Sequence, residues 1–431
     1  EDAGMIAKLY AGLGGAFALA ALGGCMTSEV KPLEKINAMQ AKVEISQAEL
    51  LDIGIRTFEP GIPSELAGDE DKLAKKRIYP DIRQAESRFI ATMMRDTLER
   101  SGQWGAVRVV PAGAEFVDVL IAGTIVESTG KRLAIDVSVS DSTGRMWFAD
   151  KRYESLADIG SYKTDAALKA RDPFQNVYSQ IANDMVAARD QLLADERRSI
   201  RRVTELRFAS DLAPEAMGGY LAKDSKGFTK IARLPADNDP FSERIERIRE
   251  RDAGVIDTVN TYYASFADQM RDSYGSWRRT SYEEIDKEER LRSQARTRTI
   301  LGAAAVLASV FVPGQCQTYD YNCRRIESAT RTAGALGGTA AVLSGLKKYA
   351  DARVAAQAVK ELSQSFQAEV APQVVDVEGR TLRLTGSAEE QYREWRKLLR
   401  ELYLEETGGV ATTPAATPEE ASAGDAPSAT P

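Results

Sequence analysis

Three cysteines and the complete absence of histidine define the side-chain chemistry open to this chain. Its 431 residues include Cys25, Cys316 and Cys323, together with 64 acidic side chains. Without imidazole, histidine-ligated metal sites and Ser/His or Cys/His nucleophile pairs are excluded. The sequence also lacks G-x-S-x-G, C-x-x-C and a phosphate-binding glycine loop. It therefore predicts no catalytic residue, no metal site and no cofactor.

Carboxylates are the groups that leave an enzymatic hypothesis open. Paired acids about 5 to 9.5 Å apart serve glycosidases, and with 64 acids some pairs must arise by chance. The sequence does not identify which two would converge. A carboxylate-based hydrolase of envelope glycans is therefore the third of three functional hypotheses, and a cleft with that separation would support it.

Cys25 ends a short apolar stretch near the start of the chain. From Met5, one lysine precedes an uncharged run over Leu9–Leu22, and small residues follow. This order is typical of a secretory signal peptide. Residues 1–4 do not fit the pattern, so we expect Met5 to be the natural start and 1–24 to be the signal with four extra residues. A membrane-spanning helix, the alternative, needs about 20 apolar residues.

The segment Leu22–Cys25 resembles the lipobox of bacterial lipoproteins. The resemblance implies cleavage before Cys25 and acylation of its thiol, so that Cys25 becomes the lipidated N-terminus. Met26 follows rather than aspartate, which in lipoproteins implies sorting to the outer membrane. Two or more acyl chains hold a protein on a bilayer where one is marginal. We therefore expect a lipid anchor on the periplasmic face of the outer membrane, with 25–47 as the linker.

Cys316 and Cys323 bracket six residues that include the turn formers aspartate and asparagine. Because lipidation would use Cys25, an even pair of thiols remains. In an oxidising compartment this spacing favours a small disulfide loop. The sequence thus predicts a Cys316–Cys323 disulfide, and the alternative is two free thiols on a loop.

The first group of secondary-structure elements along the chain is a predicted α+β module over 48–194. Apolar periodicity, turn signals and helix-boundary residues define its elements. In chain order these are a strand in Leu51–Gly61, a helix from Pro80 to Gly102, strands in WGAVRVVP, Val117–Glu127 and LAIDVSVS, a DSTG turn into RMWFADKRYE, and a helix over Phe174–Leu193. The order predicts helices packed on an antiparallel sheet.

Two segments of this module, ATMMRDTLERSGQWGAVRVV and VDVLIAGTIVE, carry a family resemblance. They resemble the periplasmic domain shared by curli-secretion lipoproteins, exopolysaccharide-export lipoproteins and the N-terminal domain of the Tol-system propeller protein. The resemblance implies a ring-forming or docking module of the cell envelope. The chain departs from the curli-type pore, because the sequence has no clear pair of long alternating strands with a fully apolar face.

A charged helical region is predicted over 195–298. Its mixed-sign charge runs are typical of solvated helix faces. One apolar face lies within it, and aromatic residues at helical spacing predict core packing rather than a ligand site. The residues of this face are Val255, Val259, Tyr262, Tyr263, Phe266 and Met270.

Two uncharged small-residue segments, Ile300–Val312 and Ala333–Leu346, follow within 299–369 and predict a helical hairpin. They resemble the glycine-zipper hairpins of some outer-membrane lipoproteins. At 1.5 Å per residue each segment rises about 20 Å, whereas the hydrocarbon core is about 30 Å thick. Burial in the fold or an oligomer interface and membrane insertion therefore both stay open. Small residues that let two helices approach closely are Gly334, Gly337, Gly338, Ala341 and Gly345.

The C-terminal part is predicted as a β-hairpin and a helix over 370–406, followed by a disordered tail over 407–431. Ser387 and Glu390 fit a capping box at the start of the helix. The tail is rich in proline, alanine and threonine and has no residues to form a core.

Together these features favour a non-enzymatic outer-membrane lipoprotein that self-associates as a structural or assembly component of an envelope or secretion machine. The alternative is a monomeric periplasmic module that binds peptidoglycan or a Tol-like partner. The expected partners are the membrane, through the lipid anchor, and either copies of this chain or other envelope proteins. A net charge of −7 without a basic patch disfavours nucleic acid. No small-molecule substrate is evident.

Overall fold

The protein is described here by a computed structural model that covers residues 33–236, 239–311, 357, 361, 373–377, 380–384 and 387–407. For 291–311, 405–407 and the strands between 373 and 384, the backbone alone is described.

The described elements confirm the predicted α+β class. The helices are α1 (Glu70–Lys75), α2 (Pro80–Ser101), α3 (Asp165–Ala170), α4 (Gln175–Asp190), α5 (Ala194–Leu212), α6 (Pro214–Met217), α7 (Pro240–Phe311) and α8 (Ala388–Thr407). The strands are β1 (Ile53–Arg56), β2 (Val107–Val110), β3 (Val119–Ser128), β4 (Arg132–Asp141), β5 (Met146–Leu156), β6 (Leu221–Lys223), β7 (Thr229–Ile231), β8 (Gln373–Val377) and β9 (Arg380–Leu384).

The main sheet has five strands in the order β2-β1-β3-β4-β5. β1 is parallel to both β2 and β3, whereas β3, β4 and β5 are antiparallel. The sheet is thus mixed, and the prediction of an antiparallel sheet was wrong in this detail. Helix α2 returns the chain to the end of the sheet where β1 began, so β2 runs parallel beside β1. The predicted β4–β5 hairpin is confirmed.

Helix α2 has the boundaries that the sequence predicts. Pro80 occupies the first helical position, where its missing N–H costs no hydrogen bond. Gly102 ends the helix with φ of 64° and donates its N–H to the carbonyl of Glu99. The backbone must adopt the left-handed conformation at this position, and glycine does so without steric cost.

Hydrophobic cores lie on both faces of the main sheet, because successive strand residues point to opposite sides. On one face, Ile53, Ile55 and Val109 pack with α2, α4 and the middle of α7. On the other face, Val110 and its neighbours pack with α5, α8 and the start of α7. Helix α7 therefore contributes to both cores.

Helix α7 has 72 residues and is about 108 Å long at 1.5 Å per residue. It covers the β2 edge of the sheet, where the Val109 N–H donates to Asn260 Oδ1 at 2.9 Å. The predicted apolar face is confirmed: Tyr262 is half-buried and its other five members are buried. Ile285 is the last buried side chain of α7 within 240–290, where its side chains are described. Past Ile285 the helix continues for 26 residues, or about 39 Å. It crosses the predicted boundary between 298 and 299 without a break.

The C-terminal elements follow the sequence prediction. β8 and β9 pair as an antiparallel hairpin. The capping box at α8 is present, since Glu390 accepts the Ser387 N–H at 2.8 Å and Ser387 accepts the Glu390 N–H at 3.3 Å. Within the described ranges, no helix contains a segment long and apolar enough to span a bilayer.

Candidate functional site

An extended segment near the start of the described chain, residues 34–39, lies along helix α4, and we call it the strap. Asn176 accepts the Ile36 N–H at 3.0 Å and donates to the Glu34 carbonyl at 2.8 Å. Asn183 accepts the Met39 N–H at 2.7 Å and donates to the Asn37 carbonyl at 3.0 Å. Each amide therefore holds the strap backbone at two points.

The spacing of the two asparagines matches an extended chain. Seven residues of helix separate Asn176 from Asn183, a rise of about 10.5 Å. Three residues of strap separate Ile36 from Met39, about 10 Å at the rise of an extended strand. Because both amides bind backbone groups, this asparagine clamp recognises an extended conformation rather than particular side chains.

Polar groups around the clamp tie the strap to helices α2 and α4. Arg171 donates to the Ile36 carbonyl at 3.2 Å and to Asn176 Oδ1 at 2.8 Å. The Ala41 N–H donates to the Ser101 carbonyl at 2.9 Å, at the end of α2. These contacts fix the path of the chain from Ile36 to Ala41.

A cavity of about 510 Å³ opens where the strap begins. Leu33, Ile36 and Leu156 contribute apolar surface to its lining, and Arg132 and Glu154 form an ion pair at 2.6 Å beside them. Leu156 is 51% exposed. The cavity therefore combines an apolar wall with a charged rim.

A buried polar cluster joins helix α7 to the α+β module. Glu86 on α2 is fully buried and accepts hydrogen bonds from Ser128 at 2.7 Å and from Tyr274 at 2.8 Å. Its second oxygen faces Arg83 Nε at 3.5 Å. Burial raises the pKa of Glu86, although Arg83 and the two hydroxyl donors oppose that effect. One carboxyl group thus connects α2, β3 and α7.

Arg278 of α7 forms a second buried junction beside this cluster. It is 2% exposed and donates to both oxygens of Asp172, at 2.9 and 3.3 Å. Its guanidinium also lies 4.3 Å from the centre of the Tyr274 ring. Burial alone would lower the pKa of Arg278, but the negative charge of Asp172 outweighs it and the pKa is raised.

Asp252 forms the corresponding junction between α7 and the C-terminal helix α8. It is 4% exposed and accepts hydrogen bonds from Trp395 Nε1 at 3.1 Å and from the Tyr392 hydroxyl at 3.4 Å. Arg396 lies 3.7 Å away. Burial raises the pKa of Asp252 despite these partners. Residues more than 130 positions apart in sequence are thereby fixed to each other.

Asp118 lies buried at the start of β3 and accepts the Asp52 N–H at 2.9 Å. Burial raises the pKa of its carboxyl group to about 6. The group holds the chain before β1 against the chain before β3. It therefore positions backbone, whereas Glu86 and Asp252 bind side chains of other elements.

Further surface cavities have volumes of about 650, 460 and 390 Å³. Acids and bases line each of them together, and pairs such as Arg202 with Glu205 neutralise each other. Within the part of the chain that the structure describes, no group of three or more histidine, cysteine, aspartate and glutamate residues could hold a metal ion.

The residues predicted to carry function lie outside the described ranges. These are the lipidation site Cys25, the disulfide pair Cys316 and Cys323, and the helix-packing residues Gly334, Gly337, Gly338, Ala341 and Gly345. They stay predictions. Conversely, the sequence reasoning missed the asparagine clamp, for which the available signal was two asparagines seven residues apart on one helix.

Comparisons with protein-family models, with characterised proteins and with solved structures found no match to this chain.

Proposed function

We propose that this chain is a non-enzymatic lipoprotein of the outer membrane. It acts as a structural or assembly component of an envelope or secretion machine, and it self-associates. The observation that carries the proposal is helix α7: its first part belongs to both cores of the module, and its last part continues about 39 Å beyond Ile285. A long helix rooted in a folded module suits a scaffold.

The use of buried charge supports a structural role. Glu86, Asp172 and Asp252 each make hydrogen bonds or ion pairs that join two or more elements. A carboxylate that acts as a catalyst must instead reach substrate from a cleft. The side chains of these three acids are nearly inaccessible to solvent, and each has a partner from a distant part of the sequence.

The two ends of the described fold are consistent with a protein that is attached to the membrane at one end and associates with other copies at the other. At one end, the strap leads from the module toward Cys25, the proposed lipid anchor. At the other, α7 leads to the small-residue segment that begins at Ile300, and small-residue rows favour close helix association. The proposal assigns membrane attachment to the first end and self-association to the second.

The experiment is a mass measurement of the particle that mild detergent extracts from membranes, by light scattering coupled to size-exclusion chromatography. We expect a homo-oligomer for the natural chain. Gly338→Val should lower the assembled mass, because it places a bulkier side chain in a row of small residues that the proposal assigns to a helix interface, and the two helices could then no longer approach as closely. Gly409→Val, in the predicted tail, is the matched control and should leave the mass unchanged. A natural chain that stays monomeric at micromolar concentration contradicts self-association.

A further inference from the structure

We infer that the face around the start of the strap is the surface that lies against the lipid bilayer. This membrane face consists of the apolar Leu33, Ile36 and Leu156, which line the cavity of about 510 Å³ together with Glu34, Arg132 and Glu154, and of the neighbouring Lys35. The inference rests on the lipid anchor proposed at Cys25. It adds which side of the module faces the membrane and what holds it there.

Chain length supplies the first argument. Eight residue steps separate Cys25 from Leu33, so whatever path they take, the two are at most about 28 Å apart. The asparagine clamp begins at Glu34, directly after Leu33. An acyl anchor on Cys25 therefore keeps this side of the module close to the bilayer surface.

The length of strand β5 gives the distance between the membrane face and a control position on the same strand. The strand runs from Met146 to Leu156 and contains bulges; its end residues pair with Ser140 and Arg132 of β4, which are eight steps of about 3.3 Å apart, so the ends of β5 lie about 26 Å apart. Leu156 is at the cavity beside Leu33. Met146 is consequently at the far end of the strand from the point where the chain leaves for Cys25.

Surface chemistry supplies the second argument. Leu156 is 51% exposed and lines the cavity together with the half-buried Leu33 and Ile36, so three apolar side chains share this surface. Lys35 is exposed, whereas Arg132 at the cavity rim is paired with Glu154 at 2.6 Å. Apolar side chains that enter the headgroup boundary are typical of proteins that lie on membranes.

The test uses lipidated protein in vesicles of phosphatidylethanolamine and phosphatidylglycerol, part of which carries a nitroxide on the headgroup. Leu156→Trp places a fluorophore on the membrane face, and Met146→Trp, at a position 48% exposed, is the matched control on the same strand. We expect the nitroxide to quench the introduced tryptophan at position 156. At position 146 the signal should not change beyond the background of the natural chain.

The clamp provides a second readout. Arg171 also holds the Ile36 carbonyl. Without the clamp and Arg171, the next bond that holds the chain is that of Gln103 with the Met39 carbonyl at 3.4 Å, fourteen steps from Cys25, so the reach grows to about 49 Å. The Arg171→Ala/Asn176→Ala/Asn183→Ala variant should therefore lose most of the quenching at position 156. Gln180→Ala, which removes an exposed amide from the same helix, should keep it. Unchanged quenching in the clamp variant would overturn the role of the clamp.

The possible outcomes separate this inference from the proposed function. Intact mass of the same sample reports acylation: an unmodified Cys25 overturns the anchor itself. An acylated chain with equal quenching at positions 146 and 156, or with quenching at 146 alone, overturns the membrane face and leaves the anchor in place. Quenching at neither position in an acylated chain also overturns it, and points to a second copy or a protein partner as the cover of Leu156.

Discussion

The buried ion pair of Asp172 and Arg278 should dominate the attachment of α7 to the module. Asp172→Asn keeps the size of the side chain but removes its charge, which leaves the guanidinium of Arg278 buried at 2% exposure without a counter-charge. Breaking such a pair by changing one partner costs about 3 to 5 kcal/mol of unfolding free energy. Domains are typically stable by about 5 to 15 kcal/mol, so the loss is a large share of the total.

Urea denaturation followed by circular dichroism measures this loss. Asp272→Asn is the matched control, because its ion pair with Lys169 is well exposed, and it should cost about 1 kcal/mol or less. The double variant Asp172→Asn/Arg278→Met should regain much of the stability lost by Asp172→Asn, since it removes the unpaired charge. The reasoning is refuted if Asp172→Asn and Asp272→Asn destabilise the protein equally.

Three further predictions concern other junctions, each measured by urea denaturation. Gly130→Ala should destabilise the protein strongly, because its new methyl group would overlap the carbonyl of Arg278 on α7. Gly254→Ala, on α7 itself but facing open space, should stabilise it by about 0.5 to 1 kcal/mol. Equal effects of the two substitutions would contradict this packing. Tyr274→Phe removes a donor to a buried carboxyl and should cost about 1 to 3 kcal/mol; no loss would contradict the bond. For Asp118, whose pKa rises from 3.8 to about 6, the contribution to stability is full below pH 4 and lost as pH rises through 6. Asp118→Asn should therefore gain up to about 3 kcal/mol relative to the natural chain between pH 4 and 7, and a pH-independent difference would contradict the shift.

Local sequence signals predicted the elements of the module well. Pro80 and Gly102 mark the two ends of α2 because proline suits the first helical position and glycine the left-handed cap. The apolar alternation of β4 and the DSTG turn predicted the hairpin with β5 for similarly local reasons. Boundary chemistry and side-chain periodicity act over a few residues, so the sequence alone reveals them.

The pairing of strands and the extent of long helices were harder to predict from the sequence. Alternation determines which face of a strand is buried but not the direction of its neighbour, so the parallel pairing of β1 could not be inferred. Charged and small-residue stretches looked like separate regions, yet both belong to α7, because composition can change along a helix that stays continuous. The periodicity of apolar residues shows which face of an element is buried, but it does not show how elements pair or where one element ends.

The candidate site was the hardest part to predict. Asn176 and Asn183 resemble ordinary surface residues of an amphipathic helix, and only the fold brings an extended segment 140 residues away against them. Glu86 and Arg278 likewise look like solvated charges until their partners from other elements enclose them. Buried polar junctions depend on tertiary packing, which a single sequence does not display.

The most direct test of the account is the intact mass of the protein extracted from membranes of the cells that produce it. We predict a chain that begins at Cys25 and carries the added mass of a diacylglyceryl group and an amide-linked acyl chain. An unprocessed chain without acyl groups would contradict the lipoprotein assignment, and with it the membrane face.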